Sequence, residues 1–167
     1  MIKMRPLLPA LVAFFALSAL AADQSSVRVE PDNPHLPRTL EKQTETAVIR
    51  DYLQAWQALD GAMEQNRADL LDEDFVGTAK DKLAATIQEQ ARSGVHTRYQ
   101  DRAHDIKVMF YSPEGLSIQL VDNVDYDVQV FDHDKLQGTQ RVHGRYIAVL
   151  SPSEVRWRVR ILQSEPQ

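Results

Sequence analysis

The chain has no cysteine among its 167 residues. That excludes disulfides, thiolate metal ligands and a lipidated N-terminal cysteine. Its five histidines, His35, His96, His104, His133 and His143, show no i, i+4 pair of the kind that holds zinc on a helix. Asp72-Glu73-Asp74 lacks the spaced ligands and glycine turn of a calcium loop and reads as a solvated run. Asp132-His133-Asp134 crowds three side chains into one turn, where neighbours do not converge on one ion. No metal and no cofactor is expected. No serine stands in a G-x-S-x-G context, and no N-glycosylation sequon or internal repeat is present. Strands do not alternate with helices, which argues against a doubly wound nucleotide-binding sheet. The net charge of −5 disfavours nucleic acid and anionic lipid as partners.

The one long apolar run is at the start. Lys3 and Arg5 precede an apolar stretch from Leu7 to Leu20, and Ala19-Leu20-Ala21 supplies small residues at a cleavage position. Residues 1–21 read as a secretory signal peptide, too short in apolar length for a comfortable span of ~20 residues. Removing Lys3 and Arg5 takes the net charge to −7. The expected product is periplasmic or secreted, with no stable membrane anchor after cleavage. Residues 22–43 follow as a polar tether, with Pro31, Pro34 and Pro37 favouring extended chain.

The full chain's 43% apolar and 26% charged composition is ordinary for a globular protein; residues 44–163 read as one folded domain and 164–167 as a tail. Val48, Ile49, Tyr52, Leu53, Trp56, Leu59 and Met63 recur at spacings of three and four, one stripe of a helix. Gly61 inside it predicts a bend or a close contact. Asn66 to Leu71 predicts a short turn. Thr78-Ala79-Lys80-Asp81 predicts a capping box opening a second helix with Leu83, Ile87 and Ala91 inward. Ser93-Gly94 ends it, and His96 to Arg102 reads as a polar connection.

From there the period changes to two. Ile106, Val108 and Phe110 mark a first strand. The second, Leu116–Phe131, is the longest: Leu116, Ile118, Leu120, Asp122, Val124, Tyr126, Val128 and Val130 form one row. Asp132 to Gly138 reads as a hairpin loop. Thr139 to Leu150 is a third strand. Val155, Trp157, Val159 and Ile161 form one face of a fourth. Helices followed by an antiparallel meander give an α+β class: N-terminal helices packed on a curved four-strand antiparallel meander.

This arrangement resembles the NTF2-like (cystatin-like) superfamily. The resemblance spans about residues 44–163. It is carried by Tyr52-Leu53-Gln54-Ala55-Trp56, the turn Asn66-Arg67-Ala68-Asp69-Leu70-Leu71, the Thr78 helix and the meander Ile106–Leu162. It implies a cone with a pocket between helices and sheet, and a superfamily of both small enzymes and non-catalytic modules, many paired through the open sheet face. A shorter string, Gln140-Arg141-Val142-His143-Gly144, matches the Q-x-V-x-G of cystatin protease inhibitors. In cystatins it sits at a hairpin tip, whereas here it enters the third strand.

Asp122 is the one acid in the apolar row, and a carboxylate in an apolar cleft is a candidate general base. The resemblance implies the same role. Tyr52, Trp56, Tyr126 and Tyr146 are the expected walls of a ligand pocket. No second acid, histidine or lysine falls in that row, so no His–Asp pair is visible. On the other sheet face stand Asp125, Asp127, Arg141, His143, Arg145, Arg156, Arg158 and Arg160, the expected partner surface. The leading expectation is an exported, non-catalytic binding or assembly module. It would act through the helix–sheet cavity on a small apolar ligand, or through the charged sheet face on an envelope protein or a second copy. The alternative is an isomerase, dehydratase or hydrolase built on Asp122.

Overall fold

A computed structural model describes residues 25–30 and 34–165. The leader and its cleavage site lie outside them. The elements run β1 (Ser26–Val29), α1 (Lys42–Gln65), a 3-10 turn (Ala68–Leu71), α2 (Gly77–Ser93), β2 (Val95–Tyr111), β3 (Ile118–Asp132), β4 (Lys135–Pro152) and β5 (Trp157–Glu165). The sheet is five-stranded in the order β1-β2-β3-β4-β5. β2 to β5 form the antiparallel meander. β1 adds a parallel edge, Ser26 opposite Ala103 and Val29 opposite Ile106.

The expected helical stripe is the buried face of α1: Val48, Ile49, Tyr52, Trp56, Leu59 and Met63 are all in the core. That face packs across β2 and β5, while α2 lies against β5. The inward row of β3 supplies Ile118, Leu120, Val124 and Tyr126 to the same core. One long strand with an apolar inner row therefore collects both helices on one side.

Several expectations change. The tether is not free of structure, because Ser-Val-Arg-Val pairs with β2 as β1. Farther on, Leu40 enters the core. Arg38 lies over the Tyr111 ring at 5.2 Å and donates to the Pro113 carbonyl at 3.2 Å. The polar connection His96–Arg102 is the first half of β2, its polar residues tolerated because little of it is covered. The hairpin loop over 132–138 shrinks to His133-Asp134, with φ of 45° and 64°, the left-handed pair of a tight type I′ turn. No capping box forms: α2 opens at Gly77, and its cap residue Val76 carries no side-chain cap bond. Gly61 makes no close contact, since a Cβ there would meet its nearest neighbour at 3.8 Å.

Bulges explain two misplaced apolar residues. Pairing shifts between Val108 and Phe110, so Tyr111 turns inward opposite Ile118 and Phe110 turns out. It shifts again between Val149 and Leu150, opposite Ile161 and Val159, so Ile161 turns out and Leu162 packs on the core. A strict period of two cannot register an inserted residue.

Gly94 ends α2 at φ 68°, and a Cβ there would lie 2.7 Å from the His133 ring. Gly94→Ala is expected to cost about 1–3 kcal/mol, read from the denaturant midpoint. Adding His133→Ala should recover the steric part and leave the backbone part.

Candidate functional site

The site begins with the position of Asp122 in β3. Pairing runs without a shift through Asp122–Tyr146 and Val124–Gly144, so the carboxylate stays in the inward row. It is 0% exposed. An isolated carboxylate there would be strongly disfavoured, and two donors meet it. Tyr52, from the middle of α1, donates its hydroxyl to Asp122 Oδ2 at 3.0 Å. His104, from β2, places Nδ1 2.7 Å from the same oxygen. His104 Nε2 lies 3.5 Å from Asp101 Oδ2. The result is a chain Tyr52–Asp122–His104–Asp101 across helix and sheet.

Burial alone lowers the pKa of His104, but the bonds and charges of Asp101 and Asp122 outweigh it, and the value is raised to about 9. The imidazolium thus bridges two carboxylates at neutral pH. Burial, then the charge of Asp122, pushes the Tyr52 phenol well up, so Tyr52 stays a hydroxyl donor. Asp122 Oδ1 is buried and accepts no bond.

The expected wall residues do come together. Trp56 lies edge-on to Tyr52 at 6.4 Å and to Tyr146 at 5.2 Å, and is tilted against Tyr126 at 6.1 Å. Tyr126 and Tyr146 share a hydroxyl bond of 2.8 Å. These rings close around the acid chain: Tyr52 is 1% exposed and His104 2%. Sequence reasoning missed two members. His104 stands two residues before Ile106, so extending that row backward by one step finds it. Tyr99 stacks edge-on to Tyr126 at 5.7 Å, from the half of β2 read as a connection. Among the described residues, no group of three His, Asp or Glu side chains is placed to hold a metal ion.

The charged set divides. On the sheet face away from the helices, Asp125 stands opposite His143 at 2.5 Å. Asp127, opposite Arg141, accepts from Arg141 Nε at 2.9 Å and from Arg102 Nε at 2.8 Å. Bonds from Arg141 and Arg102 pull its pKa down to about 2. Arg145 pairs with Glu165. Arg156 and Arg158 engage the segment before α2 rather than a cross-strand acid. Arg156 Nη1 binds Asp74 Oδ1 at 2.9 Å, and Arg158 donates to the carbonyls of Asp72 and Phe75. The acid run is therefore not simply solvated: Asp74 is buried. Arg160 is the extra, exposed residue of the β5 bulge. Beside the ionic pairs the same outer face is apolar. Val121 is 6% exposed yet outside the core cluster. It stands opposite Ile147, with Val149 opposite Ile161 alongside.

Comparison with known proteins completes the picture. No protein-family model matches the chain, and no curated protein matches its sequence. Solved structures do match. The intermembrane-space region of the chloroplast protein ARC6 aligns at TM-score 0.62 and 12% identity, over 78% of this chain and all of that one. A candidate scytalone dehydratase from Novosphingobium aromaticivorans aligns at 0.52 and 13%, over 75% and 89%. A candidate dehydratase of the NTF2-like family from Streptomyces avermitilis aligns at 0.51 and 11%, over 73% and 98%. The fold is NTF2-like. At these identities the likeness fixes the NTF2-like architecture and leaves the chemistry to the residues.

The raised pKa of His104 sets a pH window. A folded-state value of about 9 against an unfolded one near ~6.5 gives stability that is complete below the lower value. It is lost as pH rises through the higher one, on the order of 3 kcal/mol in all. Urea melts between neutral and alkaline pH should show this fall in the wild type. In His104→Gln the slope should flatten.

Proposed function

We propose that the chain is an exported, non-catalytic NTF2-like binding module that associates through the outer face of its sheet. The observation that carries the reading is the filled cone. Asp122 is wholly buried, and Tyr52, Trp56 and His104 occupy the space a substrate would need. The leader read in the sequence puts the module outside the cytoplasm.

The outer face has the make-up of an interface. Phe110, Val121, Ile147, Val149 and Ile161 form an apolar end, and Asp125–His143 and Asp127–Arg141 form an ionic end. Exposed ion pairs contribute little stability, whereas in register they orient a partner. The favoured partner is a second copy, in a pairing where each apolar end covers the other. Ile147→Glu should convert a dimer to a monomer in sedimentation, and Asp122→Asn should leave the dimer intact. A wild type that sediments as a monomer at every concentration would overturn the homodimer.

One observation favours a second reading. Tyr52, Asp122 and His104 form a donor–acid–base set with an unused buried oxygen, and two of the matched structures are candidate dehydratases. In a dehydratase, His104 would give or take the proton while Asp122 holds it and Tyr52 donates to the substrate oxygen. The expected result is that no hydroxylated cyclic ketone loses water faster with the protein than without. Turnover that vanishes in both His104→Gln and Asp122→Asn would establish the enzyme instead.

A further inference from the structure

The two edges of the sheet are treated differently. At β5, the segment Asp74–Val76 closes the edge: Val76 N–H donates to the Val159 carbonyl at 2.9 Å, and Val159 N–H to the Asp74 carbonyl at 2.8 Å. At the other end, among the described residues, β1 pairs only with β2, and all four of its residues are exposed. Glu30 N–H points inward, donating to the Ile106 carbonyl at 2.8 Å. By the alternation of a strand, the N–H groups of Val27 and Val29 point outward. Proteins commonly blunt such an edge. Among the described residues nothing covers this one, and a cleft lies beside it.

That cleft, about 430 Å³, lies between β1 and the first turns of α1. Val29, Ile49 and Leu53 give it an apolar lining, and Lys42 and Arg50 stand at its rim. The rim is cationic in an otherwise acidic chain. The Lys42 and Arg50 side chains are 82% and 65% exposed, whereas their acids Glu45 and Asp51 are buried. The cations are the solvent-facing members of both pairs, and Glu45 lines the cleft beneath Lys42. Arg28 on β1 itself adds a third exposed one.

We propose that β1 and this cleft form a strand-addition site for an extended segment of another protein, apolar at every second residue and acidic at its flanks. The segment would pair with the outward N–H and C=O groups of Val27 and Val29. It would lay its apolar side chains over Val29, Ile49 and Leu53, and set its acids against Lys42 and Arg50. Main-chain bonds supply affinity in this mode and side-chain pockets supply selection. The site is separate from the outer sheet face and does not depend on the homodimer.

The probe is a fluorescein-labelled peptide Glu-Glu-Val-Thr-Ile-Thr-Val-Glu-Glu, with a version carrying lysine for every glutamate. Anisotropy with the full chain should show saturable binding of the acidic peptide that weakens as salt is raised, and at least tenfold weaker binding of the lysine version. Val27→Pro removes one outward N–H at an edge position where proline is tolerated. Thr46→Trp fills the cleft from an exposed helix position. Each should weaken binding about tenfold with an unchanged melting curve, and Ile147→Glu should bind as the wild type does. Amide shifts on titration should cluster in residues 26–30 and 42–53. The proposal is overturned by no binding, by equal binding of both peptides, or by binding that survives both β1 and cleft variants. It is also overturned if Val27→Pro changes the oligomeric state, which would make the occupant a second copy.

Discussion

The fold rests on a buried carboxylate that must be answered from two directions. Asp122 sits in the inward row of β3, where an unpaired charge would cost several kcal/mol even after relaxation. Tyr52 reaches it from α1 and His104 from β2. The arrangement is possible only when helix and sheet are docked in one register and at one height. A slip of one residue in β3 would bring Asn123 inward and send the acid to solvent, abandoning both donors. Replacing the trio with apolar residues could stabilise the core further, as buried ion pairs seldom improve on good packing. What the trio adds is a penalty on every wrong docking.

Curvature follows from where the strands carry an extra residue. β2 shifts between Asp101 and Ala103 and again between Val108 and Phe110, and β5 shifts opposite Val149 and Leu150. The first shift lets Asp101 face inward, opposite Tyr126, while Arg102 swings to Asp127 on the outer side. The other two turn Phe110 and Ile161 outward. The same bulges that wrap the sheet onto the helices thus furnish the acid at the far end of the inner chain and the apolar residues of the outer face. Inside and outside are coupled through three inserted residues.

Those insertions also mark how far the sequence could be read. The stripe of α1, the inward row of β3 and the glycine stop of α2 depend on simple periods and one φ preference, and each was legible. So was the inward aim of Asp122 and its circle of aromatic rings. His104 was hidden because its row was begun one step late, at Ile106, just past the polar stretch read as a connection. Arg156 and Arg158 were placed on the open face because alternation says so. In the structure Asp74 and two carbonyls of the loop before α2 capture them, a contact between segments about eighty residues apart that no local pattern encodes. β1 was lost among prolines for a related reason: four residues are too few to show a period.

The filled interior and the unequal edges point the same way. In an NTF2-like cone, chemistry requires room beside the acid. Here the room is taken by Trp56 and the tyrosines, and His104, the candidate proton carrier, is held as a cation between two carboxylates. A raised pKa makes His104 slower to give up its proton near neutral pH. The same pairing is an effective clamp on β2, α1 and β3. The surface shows the opposite character: an apolar and ionic outer face, one edge sealed by Asp74–Val76 and the other, among the described residues, left open over a cleft with cations at its rim. A rigid interior beneath a preformed surface lowers the ordering cost of recognition, which is what the proposed binding role needs.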